Sequence, residues 1–322
     1  MKQYLIPQSG SFYKVNMHSH SNLSDGVQTP EELKKIYMDH GYSAIAFTEH
    51  GRLHNLSRLT DENFVAIVSY EMDMQRKDRV PFSFYEGAPK TGGHVEHIHL
   101  NLYAKDPNQT ECPHIDDLRK EFTIENINEA IRRGKEMGFL VVYNHPHWSL
   151  NTHELYSKLQ GVDGLEIING ASQRSSDLDY MPLVYDEMVR EGIRLPMCVA
   201  GDDNHDVRHF FTGWTMVKAE SLTYTNLMTA LEKGDCYATD GPEIHELFVE
   251  DGSVTVRCSE AVGIFYTALG RAKRCCLAEL DAPLVTEATF PIGEFDGYFR
   301  ITVRDAAGKH ACTRAYYLDE LK

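Results

Sequence analysis

A chain of 322 residues, 42% hydrophobic and 25% charged, has the length of one large α/β domain or of a domain with a small companion, and its composition argues against disorder. Its formal net charge of −16 repels long polyanions and argues against tight binding of long nucleic acid, though not against a small phosphorylated ligand. No stretch approaches the roughly 20 apolar residues that span a bilayer, and the first residues hold no apolar run of signal-peptide length, so no membrane partner and a cytoplasmic location are expected. The seven cysteines are odd in number with no C-x-x-C spacing, which argues against a disulfide framework or a cysteine zinc finger.

The first 240 residues repeat one pattern: an apolar run, a polar cluster, then a helical segment. Residues 14–18 read as a strand ending in His18-Ser19-His20, with Asp25 in a following Ser-Asp-Gly turn. Thr29-Pro30-Glu31-Glu32 reads as a helix start, with Thr29 as N-cap, Pro30 as first helical residue and Glu32 as capping-box partner. That helix runs to about His40 and stops at Gly41.

Strands follow at 42–48, ending at His50, and at 64–70, ending at Glu71. Residues 97–104 alternate as a strand containing His97 and His99. A helix over 125–137 ends at Gly138 and leads to a strand at 139–144, closed by His145 in Asn-His-Pro-His. A short helix at 154–160, a strand at 164–169, a helix at 182–191 and a strand at 195–201 come next, then Asp203-Asn204-His205. Residues 214–219 read as a further strand and 225–234 as a closing helix. Alternating β and α units of this kind imply a parallel sheet with function at the carboxyl ends of the strands. About seven units suggest a closed barrel, with an open doubly wound sheet as the alternative.

After Gly241-Pro242 the pattern changes to short alternating runs joined by turns such as Asp251-Gly252. The expected organisation is an α/β domain over 1–240 and a small all-β, sandwich-like domain over 241–322.

The chemistry concentrates in the histidines and acids that follow the strands. In extended chain, residues i and i+2 share a side, so His18 with His20, and Asp203 with His205, can each serve one ion. Imidazole and carboxylate donors suit zinc, manganese or iron, and the lack of cysteine donors points to a catalytic rather than a structural site. A lone H-x-H is more often a packed or surface pair, and an Asp-Gly is usually only a turn. Six segments delivering such groups to one face is a different matter.

The ordered set NMHSHSNLSDG, AIAFTEHG, VSYEMD, HIHLNLY, VVYNHPH and GDDNH resembles the PHP family, the polymerase-and-histidinol-phosphatase superfamily of metal-dependent phosphoesterases. The resemblance covers about residues 12–240. The later piece GDCYATDGPEI resembles the end of that domain in a branch with a small C-terminal β domain. The resemblance implies a distorted (β/α)7 barrel with two or three divalent ions. His18, His20, Glu71 and Asp203 would surround a first ion. Glu71 would bridge to a second held by His99 and His145, while Asp25, His50 and His205 would hold a third. His99 is taken over His97 because it directly precedes the Leu-x-Leu run. Glu49, where many members have Asp, falls outside the implied ligands.

Three carboxylates and three divalent ions would leave the donor set at about +3, enough to attract a phosphate inside an acidic protein. His147, Arg52 and Arg174 are candidate contacts to substrate. The expected activity is hydrolysis of a phosphate ester of a small molecule: a nucleotide, sugar or amino-alcohol phosphate. The rivals are C–N hydrolysis on an amidohydrolase-type barrel, cleavage of short oligonucleotides, and a metal-dependent binding module. The oligomeric state is not legible in the sequence.

Overall fold

The structure is a computed structural model that describes residues 2–76, 96–178, 180–270 and 274–321. Strands β1 (Gln3–Tyr4) and β2 (Ser11–Asn16) precede helix α1 (Pro30–Met38), β3 (Ala44–Phe47), β4 (Val65–Gln75) and β5 (His97–Ala104). Then come α2 (Ile124–Glu136), β6 (Phe139–Tyr143), α3 (His153–Tyr156), β7 (Gly164–Asn169), α4 (Gly170–Ser176), α5 (Pro182–Arg190) and β8 (Met197–Gly201). Strand β9 (Trp214–Ala219), α6 (Tyr224–Lys233) and β10 (Cys236–Thr239) follow. The remainder is β11 (Ile244–Glu250), β12 (Ser253–Ala261), β13 (Gly263–Ala268), β14 (Arg274–Leu277), β15 (Val285–Pro291), β16 (Tyr298–Arg304), β17 (His310–Thr313) and β18 (Tyr316–Tyr317).

Local sequence explains several boundaries. The Thr29 hydroxyl accepts the Glu32 N–H (3.2 Å) while the Glu32 carboxylate accepts the Thr29 N–H (2.8 Å), so the expected capping box starts α1. Leu33 and Tyr37 on the inner face of α1 pack with Phe47 and Phe64 in one buried cluster. Gly41 takes φ +77°, which a side chain would resist. Helix α4 was not expected from the sequence; Asn169 caps it by accepting the Ser172 N–H (2.9 Å).

One large mixed sheet runs in the order β14-β13-β16-β17-β10-β9-β2-β3-β4-β5-β6-β7-β8. The pairs β2–β3, β3–β4, β6–β7 and β7–β8 are parallel. Strand β5 is antiparallel to both neighbours, β4 and β6, so the sheet is not the uniformly parallel one that the sequence pattern suggested. This places the amino end of β5 on the same face as the carboxyl ends of β2, β3, β6, β7 and β8. It also lets β4 continue to Gln75, so Glu71 lies within its strand rather than at the end.

The far end of the sheet returns to β2. After β8, Asp203 N–H donates to His18 O (2.9 Å), His20 N–H donates to Asn204 O (3.3 Å), and Ser19 and Asn204 form a parallel bridge. The Thr215 hydroxyl of β9 accepts Ala200 N–H (2.9 Å) and donates to Ala200 O (3.0 Å). These contacts join β8 to β2 and β9 without a continuous backbone ladder.

A second sheet, β1-β11-β12-β15, is wholly antiparallel. Its inward residues, including Leu247, Val254 and Val256, share a buried cluster with Ile264, Tyr266, Ile301 and Val303 of the larger sheet. The C-terminal strands thus sandwich a core of their own. They are also tied to the rest: β10 pairs with both β9 and β17, and Arg300 of β16 forms a buried bidentate pair with Asp186 of α5 (2.6 and 2.8 Å). Among the described residues, no helix is long and apolar enough to cross a membrane.

Removing one member of that pair strands the other charge in the interior. Arg300→Met is therefore expected to lower unfolding free energy by about 3–5 kcal/mol in urea titrations, and the double change Asp186→Leu/Arg300→Met to recover much of the loss. Equal loss in the single and double variants would contradict this account.

Candidate metal centre

Three donor atoms lie at the corners of a nearly equilateral triangle. His18 Nε2 is 3.2 Å from His20 Nε2 and 3.3 Å from Asp203 Oδ1, and His20 Nε2 is 3.0 Å from that same oxygen. An ion about 2.0–2.1 Å from nitrogen and oxygen donors holds tetrahedral neighbours about 3.3 Å apart, so the triangle has the size of a coordination face. Its position follows from the fold. His18 and His20 extend β2, while Asp203 leaves β8 at φ +49°, a left-handed conformation that aspartate tolerates better than most residues. Gly201 permits the approach, since a Cβ there would lie 2.5 Å from His18 Cβ.

The fully buried Glu71 carboxylate is the hub of the cluster. Its Oε1 lies 2.9 Å from His99 Nδ1, 3.2 Å from His145 Nε2 and 3.4 Å from His18 Nε2; its Oε2 lies 3.0 Å from His50 Nδ1 and 3.6 Å from His20 Nε2. Asn144 Nδ2 donates to Oε1 (3.1 Å). Asp25 completes the outer side, 3.5 Å from His50 Nε2 and 3.4 Å from His205 Nε2. All nine residues expected as ligands thus meet in one place, on the wall of a cavity of about 290 Å³ or directly behind it. Four donor groups could each hold an ion: His18-His20-Asp203, His50-Glu71-His99, His20-Asp25-His50-His205 and His18-His145-Glu166.

His99, not His97, contributes the imidazole beside Glu71: Glu71 pairs with Asn101, which sets His99 one same-face step away, opposite Asp73, and His97 two steps away, opposite Gln75. Glu49 is buried and faces away from the donors: it accepts the Ser21 N–H (3.1 and 3.2 Å) and both the Ser21 and Ser24 hydroxyls, shaping the loop that carries Asp25. The three expected substrate contacts lie elsewhere. Arg52 is exposed and lines neither this cavity nor its neighbour, while His147 and Arg174 line an adjoining cavity.

Glu166 and Asn169 of β7 were missed. Glu166 Oε1 sits 2.9 Å from His18 Nδ1, the ring nitrogen opposite the coordination face. Asn169 Nδ2 donates to Glu166 Oε2 (2.9 Å) and to Asp203 Oδ2 (3.1 Å), tying the two acids together. The signal was present: GLEIIN sets an acid and an amide in an otherwise apolar buried strand, which calls for buried partners.

Electrostatics follow from this crowding. Burial opposes ionisation of Glu71, yet His99 and His18 outweigh it and hold the carboxyl well below its usual range. Burial likewise opposes the charge on His50 and His205, but hydrogen bonds to Asp25 and, for His50, to Glu71 carry the first up to about 11 and the second to about 9. Burial, joined by the neighbouring His18, pushes His20 down against the pull of Asp203 and Glu71. Divalent cations would fit this set: five imidazoles and the carboxylates of Glu71 and Asp203 converge, and among the described residues His20 Nδ1 is buried without a hydrogen-bond partner.

No protein-family model and no curated protein matches the chain. Among solved structures it is similar to a two-domain protein from Bacteroides vulgatus, described as containing a PHP-like metal-dependent phosphoesterase assigned by prediction (17% identity, 98% of each chain covered, TM-score 0.46). It is also similar to a protein from Bifidobacterium adolescentis provisionally named a metal-dependent phosphoesterase (15% identity, 62% of this chain and 89% of that one, TM-score 0.35). A third is an amidohydrolase from Chromobacterium violaceum with bound sulfate and no metal (15% identity, 60% and 88%, TM-score 0.37).

Two outcomes are expected at this centre. Because metal binds neutral imidazole while His50 and His205 hold protons at neutral pH, zinc or manganese uptake at pH 7 should release protons, and apparent affinity should rise with pH through about 9. Calorimetry in buffers of different ionisation enthalpy measures the release; buffer-independent heats would rule it out. Glu166→Gln, which weakens the hold on His18, should reduce metal affinity about 10–100-fold with the fold intact, read by competition with a metal indicator.

Proposed function

We propose that the protein is a metal-dependent hydrolase that cleaves a phosphate ester of a small molecule. The supporting observation is the convergence of nine imidazole and carboxylate side chains around Glu71, with donor spacing suited to two or three ions. In this proposal His18, His20, Glu71 and Asp203 hold one ion, Glu71, His99 and His145 a second, and Asp25, His50 and His205 a third. Zinc, manganese and iron all accept such donors. Bound ions of this kind supply Lewis-acid charge and acidify bound water. The rest of the work falls to the chain. Glu166 holds the His18 ring with Nε2 toward the site. Asn169 fixes Asp203 and Glu166 against each other. Trp148, packed beside His97, His99 and His145, covers one flank of the cavity.

On this proposal residues 1–240 form the catalytic unit, a distorted (β/α)7 barrel closed by the contacts between the ends of β2 and β8, and residues 241–322 a β-sandwich-like companion. The substrates are nucleotide, sugar or amino-alcohol phosphates. The −16 charge disfavours long nucleic acid.

The test is phosphate release by metal-loaded protein across these three classes, with metal content determined in parallel. Release that requires metal, and that falls at least about a hundredfold in Asp203→Asn, is expected. Metal-loaded protein that hydrolyses an amide or deaminates a base but releases no phosphate would sink the proposal in favour of C–N hydrolysis.

A further inference from the structure

A second cavity, of about 580 Å³, adjoins the metal centre. The two share walls. On α4, Ala171, Ser172 and Ser175 face the metal cavity, whereas Gln173, Arg174 and the capping Asp177 face the second. The turn after β6 divides in the same way, with Trp148 on one side and His147 on the other. So does the turn after β8, where His209 faces the metal cavity and Thr212 the second one; the Thr212 hydroxyl donates to His209 O (2.8 Å). Helix diameter with side chains is about 10–12 Å, so a ligand of metabolite size can reach from one cavity into the other.

The far wall comes from the C-terminal strands. Lys309, in the turn between β16 and β17, lines the cavity with Asp240, and Tyr180 stacks on His310 of β17 with ring centroids 4.2 Å apart. Two cations therefore face this space from opposite halves of the molecule. Among the described residues the Arg174 side chain makes no hydrogen bond or ion pair. Lys309 Nζ donates to the main-chain carbonyl of Asp240 (2.9 Å) and, among the described residues, has no carboxylate within ion-pair distance. Two acids share the wall with these cations: Asp240, which accepts the His310 N–H, and Asp177.

The geometry points to a second-anion subsite: Arg174 and Lys309 bind a carboxylate or phosphate on the leaving group of the ester whose reacting phosphate sits at the metals. This rests on the phosphoesterase proposal and narrows it to substrates with two anionic groups. It also gives the C-terminal strands a task, since Lys309 sets specificity from outside the catalytic unit. Guanidinium and ammonium groups recognise carboxylate and phosphate through charge-assisted hydrogen bonds.

The experiment compares matched esters in the metal-loaded full chain: glucose 6-phosphate against 6-phosphogluconate, and a nucleoside monophosphate against the bisphosphate. The dianionic-ended member of at least one pair is expected to be preferred about tenfold or more in kcat/KM, and Arg174→Ala and Lys309→Gln are expected to erase most of that preference through KM. Both side chains are exposed, so unchanged thermal midpoints confirm intact folding of each variant. Equal turnover within both pairs, or a preference that survives both substitutions, overturns the subsite. Should no ester be hydrolysed, the phosphoesterase proposal fails by itself. Calorimetric binding of 6-phosphogluconate then decides the subsite: loss of about tenfold in affinity in Lys309→Gln supports it, and equal binding refutes it.

Discussion

One buried carboxylate organises the centre. Glu71 has no exposure to water, and an isolated ionised acid in that position would be strongly unfavourable. Five imidazoles and the Asn144 amide surround it. They come from four places in the sheet: His18 and His20 after β2, His50 after β3, His99 near the start of β5, and Asn144 and His145 after β6. The strand order that brings these segments side by side is thus inseparable from the charge balance at the centre.

The same logic extends outward in layers. Glu166 and Asn169 hold His18 and Asp203 from the side of β7. Behind them, buried Asp202 accepts the hydroxyl of Tyr37 (2.6 Å) and the N–H groups of Phe211 (2.7 Å), Thr212 (2.8 Å) and Gly213 (3.0 Å). That acid fixes the turn carrying His209 and Thr212, which forms part of the wall between the two cavities. A substitution at Tyr37 therefore touches α1, the turn after β8 and both cavities through one carboxylate.

The C-terminal strands extend the larger sheet instead of hanging from it. Strand β10 pairs on one edge with β9 of the N-terminal half and on the other with β17, and the buried Arg300–Asp186 pair ties β16 to α5. This continuity holds Lys309 and His310 against Tyr180, at the mouth of a cavity whose other wall is α4. A wall contributed by two halves keeps its geometry only if those halves are rigidly joined.

The sequence by itself determined what depends on local chemistry. The capping box at Thr29 and Glu32 is a three-residue matter, and the i, i+2 spacing of His18 with His20 sets both rings on one side of an extended chain. The motif order likewise brought out all nine side chains that converge on the centre. Tertiary structure decided whatever depends on which strands are neighbours. Strand β5 runs against its neighbours, so His99 enters from a strand's amino end and Glu71 sits inside an eleven-residue strand. Periodicity is the same for either strand direction, and could not reveal this. Nor could it place Glu166 behind His18, 148 positions away, or set Arg174 and Lys309 across one cavity. Those are long-range pairings, fixed by the packing of the sheet and not by any short stretch of chain.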